Sequence, residues 1–317
     1  RAIFLEATQW AQDQGAQVVL LAASTKRLFG RDGAELKESF PKLTFTIGDN
    51  GTGRLLCQDI DRALLQSDLI NLCAREKRKP RILVIGPYGI LGGVVSRYLM
   101  TQGYDAVGYG ANFKLLHEFS ALTGLPISES LQTVGEFDMV VACTHSEEAK
   151  LNAHSIEWLR RSNRRLLVVD VAEPANLDAA TLALCANKVV RQDAGNGYSP
   201  WLKYVLGRWS WNKLHLARGT TFGCFAEALA LYHIIYRQHN HIALKRDWFD
   251  INPLNTALVS EAFDALRIGL PTPHCFGQRV SSFHLQMPVD HKALPAPAPA
   301  HHSNSSTGTA AITAVTA

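Results

Sequence analysis

The sequence predicts an α/β protein built on a doubly wound parallel sheet, with a partial α/β segment before it and helices after it. Three observations predict this. From Arg81 onward, short runs rich in Val, Leu and Ile alternate with amphipathic stretches of helical period, the pattern of strands crossing over through helices. The first of these strands runs into the glycine-rich turn GPYGILGG, which opens a helix, as in Rossmann-like sheets. A chain of 317 residues with 47% hydrophobic content can also bury a sizeable core, and two domains are natural at this length.

The elements follow in order. Residues 3–14 carry apolar side chains at helical spacing, and Gly15 stops them. AQVVLLAA then reads as a buried strand, and LTFTIGDNGTG as a strand running into a Gly- and Asn-rich loop. RLLCQDIDRALLQSDLINLCAREK is amphipathic over one or two helices, and REKRKP at 75–80 is a charged link ended by proline. After the strand at 82–85 and the helix ending near Gly103 come the strand DAVGYG and the helix NFKLLHEFSALTG. FDMVVACTH, SIEWLRRSN and RRLLVVDVAEP follow as strand, helix and strand, and TLALCAN with KVVRQDAG adds a further pair. Residues 219–246 read as mostly helical, and NPLNTALVSEAFDALRIG as a helix ending at Gly269. No period is visible after Pro271. The low-complexity stretch after Leu294 is expected to be disordered, with His301 and His302 in solvent. The expected organisation is a partial substrate domain (1–78), a dinucleotide-binding domain (79–218), a helical segment (219–285) and a tail (286–317).

Composition narrows the function classes. A net charge of +4 is mild, and no aromatic-plus-basic array of the kind that binds single strands is present, so no nucleic-acid partner is expected. The six cysteines, at 57, 73, 143, 185, 224 and 275, form no CxxC pair. That argues against a disulfide framework or a structural zinc site, and for reduced thiols in the cytoplasm. No apolar run approaches the ~20 residues of a membrane span. The chain opens at Arg1 without an initiator methionine, so a fragment or processed form is expected.

Gly86, Gly89 and Gly92 follow a strand and open a helix, so Gly86, Tyr88, Gly89, Ile90, Leu91 and Gly92 are candidates to hold a pyrophosphate. A tight strand-to-helix turn is the other reading of the same spacing. NAD-type sites place a carboxylate ~20 residues on, at the end of the second strand. VGYGANFK offers Asn112 and Lys114 instead, which suit a 2′-phosphate, and the expected cofactor is NADPH. Thr144 and His145, in VACTHS at a strand end, are candidates to line the nicotinamide, with His145 handling a proton.

TTFGCFAEALALY poses the sharpest question. Thr220, Thr221 and Gly223 read as a helix entry, and Glu227, three residues past Cys224, as the far half of a capping box. A helix N-terminus stabilises a thiolate, which would make Cys224 a nucleophile. Its apolar neighbours Phe225, Ala226 and Leu229 favour a core thiol when the residues are read alone.

FGCFAEALALY, ILVIGPYGILGGVVSRYL and TIGDNGTGRLLCQ together resemble the aldehyde-forming long-chain acyl-acyl-carrier-protein reductases of cyanobacteria. VDVAEPANL is also similar, through Asp170, Pro174 and Asn176. The likeness runs, with gaps, from about Ala11 to about Leu270. It implies NADPH-dependent reduction of a long-chain acyl thioester to a fatty aldehyde through an acyl-cysteine on Cys224. Ser24, Thr25, Gly48 and Asn50 would then face the acyl group, in a protein of lipid metabolism. The donor would be an acyl-carrier protein or acyl-CoA, steered by REKRK and LRRSNRR, and an aldehyde-consuming enzyme would follow. Two departures stand out: Ala111 replaces the family's arginine, and much of its N-terminal substrate domain is missing. Two other functions fit the residues. One is a shikimate-type dehydrogenase of small polar ketones, using Lys26 with Asp49 or Asp59; the other is a non-catalytic dinucleotide-binding module of a larger synthase.

Overall fold

The computed structural model describes residues 1–30, 32–202 and 216–287. Helix α1 (Ala2–Asp13) stops before Gly15, whose φ of 87° turns the chain. Strands β1 (Val18–Leu20) and β2 (Thr44–Thr46) pair in parallel, with helix α2 (Ala34–Ser39) between them in sequence. Leu21, Phe29, Leu36, Phe40, Phe45 and Phe249 form the core of this layer.

The expected loop after β2 is a helix instead. Helix α3 (Asp49–Gln66) begins directly after Gly48 and contains Gly51 and Gly53 in its first two turns. Glycine inside a helix costs about 1 kcal/mol relative to alanine, and packing explains its presence here. A Cβ on Gly51 would lie 2.9 Å from the Phe263 ring, and one on Gly53 would lie 3.2 Å from Val94. The amphipathic run that follows is two helices, because Asp68 takes a left-handed conformation (φ 55°) before α4 (Leu69–Arg75).

The main sheet has six strands, β3 (Arg81–Ile85), β4 (Asp105–Tyr109), β5 (Ile127–Ser128), β6 (Met139–Ala142), β7 (Leu166–Asp170) and β8 (Val189–Asp193). All pairs are parallel, in the order β5-β4-β3-β6-β7-β8, so the fold is the expected doubly wound, Rossmann-like one. Alternation along β3 sends Ile82 and Val84 into one apolar cluster and Leu83 and Ile85 into another. Helices α3, α4 and α5 (Ile90–Thr101) cover the first face. Helix α6 (Phe113–Thr123) joins β4 to β5, while α7 (Ala153–Leu159) and α8 (Ala179–Leu184) cover the second face. Strand order reverses between β3 and β6, which opens a crevice at their carboxyl ends.

Beyond the sheet, residues 219–246 are not helical throughout, because Thr220–Phe222 pairs as a strand. Strands β9 (Asn196–Tyr198) and β10 (Thr220–Phe222) are antiparallel and lead into α9 (Gly223–Leu231), which continues as a π-helical stretch to Arg237. Helices α10 (His241–Leu244) and α11 (Pro253–Ala265) complete a cluster around Trp248, Phe263 and Ala226. The stretch after Pro271 holds the hairpin β11 (His274–Cys275) and β12 (Gln278–Arg279). His301 and His302 lie outside the described residues.

The two basic clusters meet around one carboxylate. Arg78 Nη2 and Arg161 Nε each donate to Asp138 at 2.8 Å, and Arg164 pairs with Glu76. Burial pushes the Asp138 carboxyl up, but bonds from Arg78, the Arg81 N–H and Arg161 outweigh it and hold it below its ordinary value. Arg160 pairs with Glu157. Arg78, Arg161 and Arg164 tie the amino ends of β3 and β6 together, while Arg75, Lys77 and Lys79 are exposed. Among the described residues, no helix is long and apolar enough to cross a membrane, and no group of three or more His, Cys, Asp or Glu side chains is placed to hold a metal ion.

Candidate active site

At the end of β3 the chain turns at Gly86, whose φ is 81° and whose N–H donates to Tyr109 O at 2.8 Å. Gly89 N–H closes the turn onto Gly86 O at 3.1 Å. A Cβ on Gly92 would lie 2.0 Å from that same carbonyl, so the helix can approach the turn only with glycine there. The hydrogen-bond ladder of α5 begins with Gly93 N–H donating to Gly89 O at 2.8 Å. The N–H groups of Ile90, Leu91 and Gly92 precede it, and the cap residue Gly89 has no side chain to satisfy them. Open N–H groups at a positive helix end beside the crevice fit a dinucleotide pyrophosphate.

The rest of the expected cofactor region sits around this turn. A Cβ on Gly86 would meet Thr144 Cβ at 2.8 Å, so Thr144, just past β6, closes the crevice. The next residue, His145, is exposed and has no partner among the described residues. Tyr88 folds over Gly110, and its hydroxyl accepts the Asn112 N–H at 3.1 Å. Asn112 Oδ1 caps α6 by accepting from Leu115 N–H, and Lys114 is exposed in the first turn of that helix.

A second constellation forms because β1 and β2 are parallel, which brings their carboxyl ends side by side. A 3-10 turn (Ala23–Arg27) follows β1 and carries Lys26; α3 follows β2 and carries Asp49 in its first turn. Lys26 Nζ lies 2.5 Å from Asp49 Oδ1, with the lysine side chain 24% and the carboxylate 2% exposed. Burial raises the Asp49 carboxyl, and Lys26 opposes that shift. Asp49 lies on the wall of a cleft of about 290 Å3, opposite Val94 and Tyr98 of α5. Asp49, with Lys26 bonded to it, therefore shares a cleft with the helix that the glycine turn opens. Of the two carboxylates the sequence offered to Lys26, Asp59 is placed elsewhere, accepting from Arg62 and from the Gly195 N–H. A larger hollow, about 480 Å3, lies at the far end of α3 by Ser67 and Arg75 and holds no candidate residue.

Cys224 does lie in the first turn of α9, but its surroundings oppose a thiolate. Burial pushes the thiol up to about 11, and Asp49 and Glu227 add to that; Lys26 and the Phe225 N–H only partly offset it. The capping box is absent. Glu227 is fully buried and accepts from Thr46 Oγ1 at 2.5 Å and from Gly51 N–H at 2.6 Å. Cys143 is also held neutral, by burial first and Asp170 second.

The residues expected at an acyl group have other partners. A Cβ on Gly48 would fall 2.2 Å from Cys224 Cβ, so that glycine is a packing junction. Asn50 is 1% exposed, and its amide holds Asp250 O and Thr256. Thr25 Oγ1 donates to Ala22 O at 2.7 Å, within the turn that carries Lys26. The backbone of Ser24 shares that turn, and its side chain lies outside what is described. Sequence reasoning missed the burial of Glu227. The signal was the pair of polar residues Thr44 and Thr46 in the strand before Gly48, since a buried threonine needs a partner.

Residues 69–194 match the family model described as Shikimate / quinate 5-dehydrogenase. The chain is 26% identical over 138 residues to a glutamyl-tRNA reductase of Gloeothece citriformis (strain PCC 7424), covering 41% of this chain and 30% of that protein. Among solved structures, L-tryptophan dehydrogenase from Nostoc punctiforme is 15% identical at a TM-score of 0.37, over 71% of this chain and 63% of that one. Shikimate 5-dehydrogenase from Thermus thermophilus, in complex with NADP(H) and shikimate, is 14% identical at a TM-score of 0.34, over 69% and 64%. The chain thus spans under a third of the curated relative and under two thirds of these two structures.

The family match puts a dehydrogenase-type, NAD(P)-binding fold over residues 69–194. It corrects the resemblance to acyl-acyl-carrier-protein reductases, and with it the reduction of acyl thioesters to fatty aldehydes through an acyl-cysteine. The segments that suggested it have structural roles of their own. The Cys-Phe-Ala-Glu-Ala run packs α9 against the start of α3, and Gly48, Gly51 and Gly53 let the two helices and α5 approach.

Proposed function

We propose that the protein is an NADP-dependent dehydrogenase of the shikimate type, interconverting a small polar ketone and its alcohol. The buried Lys26–Asp49 pair beside the helix of the glycine turn carries this reading, and the family match over residues 69–194 supports it. The cofactor, when bound, gives or takes the hydride. Gly86, Gly89 and the open N–H groups of Ile90, Leu91 and Gly92 hold its pyrophosphate. Asn112 and Lys114, at a strand end without a carboxylate, favour the 2′-phosphorylated form.

Lys26 Nζ donates to the substrate oxygen and exchanges a proton with it as carbonyl becomes hydroxyl. Asp49 holds the lysine in place and keeps its ammonium paired within a largely buried site. The test is hydride transfer between NADP and a panel of small cyclic hydroxy acids and their ketones. Lys26→Met should lower kcat by about a thousandfold with cofactor affinity unchanged. Asp49→Asn should lower it less, with a raised KM. Parental turnover in Lys26→Met, or cofactor binding without transfer to any polar ketone, overturns the proposal.

A further inference from the structure

The geometry points to Glu227 as a third, buried member of the Lys26–Asp49 site: a positioning residue that fixes the turn carrying Asp49 and sets a second negative charge beside a single lysine. This rests on the role just proposed for that pair.

Three hydrogen bonds carry the positioning. Thr46 Oγ1 donates to Glu227 Oε1 at 2.5 Å and accepts from Gly48 N–H at 2.9 Å. Gly51 N–H donates to Glu227 Oε2 at 2.6 Å. One carboxylate from α9 thus clamps the residues on both sides of Asp49: Gly48 through Thr46, and Gly51 directly. With the entry to α3 fixed this way, Asp49 meets Lys26 at a set place.

The charges around Glu227 make it more than a cap. It is 0% exposed and has no ion-pair partner of its own among the described residues. The ionisable groups facing it are Asp49 from α3, Lys26 from the turn after β1, and Cys224 on its own helix. Helix α11 packs on the same region with Phe263, and its own carboxylates Glu261 and Asp264 are exposed. Two buried carboxyls therefore share one ammonium. Burial raises Glu227 to about 7, with Asp49 adding to the shift and Thr46, Gly51 and Lys26 limiting it. Near neutrality, Glu227 gains or loses a negative charge beside the Lys26–Asp49 pair.

Cys224 reports that passage without any turnover. It is probed with iodoacetamide, the modified peptide being quantified by mass spectrometry across a pH series. Below the Glu227 titration, Glu227→Gln and the parent should react alike. Above it, the variant lacks the extra negative charge that raises the Cys224 thiol. Its rate should then exceed the parent's by about three- to tenfold. Thr46→Val removes a donor that favours the Glu227 carboxylate, so the same step should persist in that variant and move to higher pH.

A rate ratio at Cys224 that stays constant with pH overturns the proposal and leaves Glu227 as a packing residue. If Glu227→Gln does not fold, Thr46→Val decides: an upward move of the step supports the proposal, and an unmoved step overturns it. Absence of hydride transfer to any polar ketone would refute the dehydrogenase assignment, while these labelling steps would still test the coupling of Glu227 to its neighbours.

Discussion

Two segments of this molecule share one sequence pattern and have opposite structural roles. TFTIGDNGTG and ILVIGPYGILGG each run from a parallel strand through spaced glycines into a helix. In the second, the glycines fold back on their own turn: Gly92 approaches the Gly86 carbonyl and leaves three N–H groups open to the crevice. In the first, protein fills the space beside every glycine. Cys224 lies against Gly48, Phe263 and Glu227 against Gly51, and Val94 against Gly53. Glycine spacing after a strand therefore does not separate a ligand cradle from a packing junction. What separates them is whether the N–H groups at the helix entry stay open, as at Ile90, Leu91 and Gly92, or are taken by packed side chains, as Gly48 N–H is by Thr46 and Gly51 N–H by Glu227.

The largest expected effect is at the junction. Gly48 has a φ of 75°, which alone disfavours a side chain, and an added Cβ would lie 2.4 Å from the Cys224 Cα. The contact is with backbone, so no rotamer change relieves it. Gly48→Ala should lose about 4 kcal/mol or more in a denaturant titration. A loss under about 1 kcal/mol would mean that α9 does not pack as tightly on α3 as the junction requires.

Next is the pH dependence that a packing junction with a buried carboxyl carries and a ligand turn does not. Glu227 is raised from 4.5 to about 7 when folded, chiefly by burial. Between those values the folded protein holds more protons than the unfolded chain, so stability falls as pH rises across the window. For this group the fall is up to about 3 kcal/mol. Glu227→Gln should flatten it, as read from unfolding midpoints at several pH values. An equally steep fall in the variant would place the titration elsewhere, Asp59 being the other carboxyl raised to about 7.

At the glycine turn of residues 86–92 the effect should appear in binding. Gly92→Ala sets a Cβ 2.0 Å from the Gly86 carbonyl, which must move and take the open N–H groups with it. NADP affinity should fall about a hundredfold, an effect of about 2.7 kcal/mol, as measured by calorimetry on protein that remains folded. Unchanged affinity in a folded variant would make this turn a packing junction too, and the comparison would collapse.

How much of this was legible in the sequence follows the range of the interactions. Most strands from 81 to 193 are short, largely buried apolar runs that composition reveals, and the turn at 86–92 is local. The two-residue edge strand β5, half-buried and holding Ser128, carries no such signal and was not read. The start of α3 was hidden because glycine argues against helix, and only partners distant in sequence, Cys224 and Phe263, require glycine there. Lys26 could be assigned either Asp49 or Asp59, since the choice depends on the parallel register of β1 and β2. Glu227 looked like a cap because its spacing from Cys224 is local, whereas its actual partners, Thr46 and Gly51, come from 181 and 176 residues away.

The smallest effect separates the glycines within the junction itself. Gly53 lies in the body of α3 with ordinary helical backbone, and its added Cβ would lie 3.2 Å from Val94 Cγ1, the end of a side chain rather than backbone. Val94 is only half-buried and borders the cleft, so its methyl can yield a few tenths of an ångström. Alanine gains about 1 kcal/mol of helix propensity over glycine, which offsets much of that displacement. Gly53→Ala should therefore stay within about 1 kcal/mol of the parent. Pairing it with Val94→Ala, which removes the obstructing methyl, should bring the double variant above Val94→Ala alone. If Gly53→Ala instead loses as much as Gly48→Ala, then α3 and α5 are locked where they cross, and the rigid part of the junction extends from the Cys224 contact to the helix of the glycine turn.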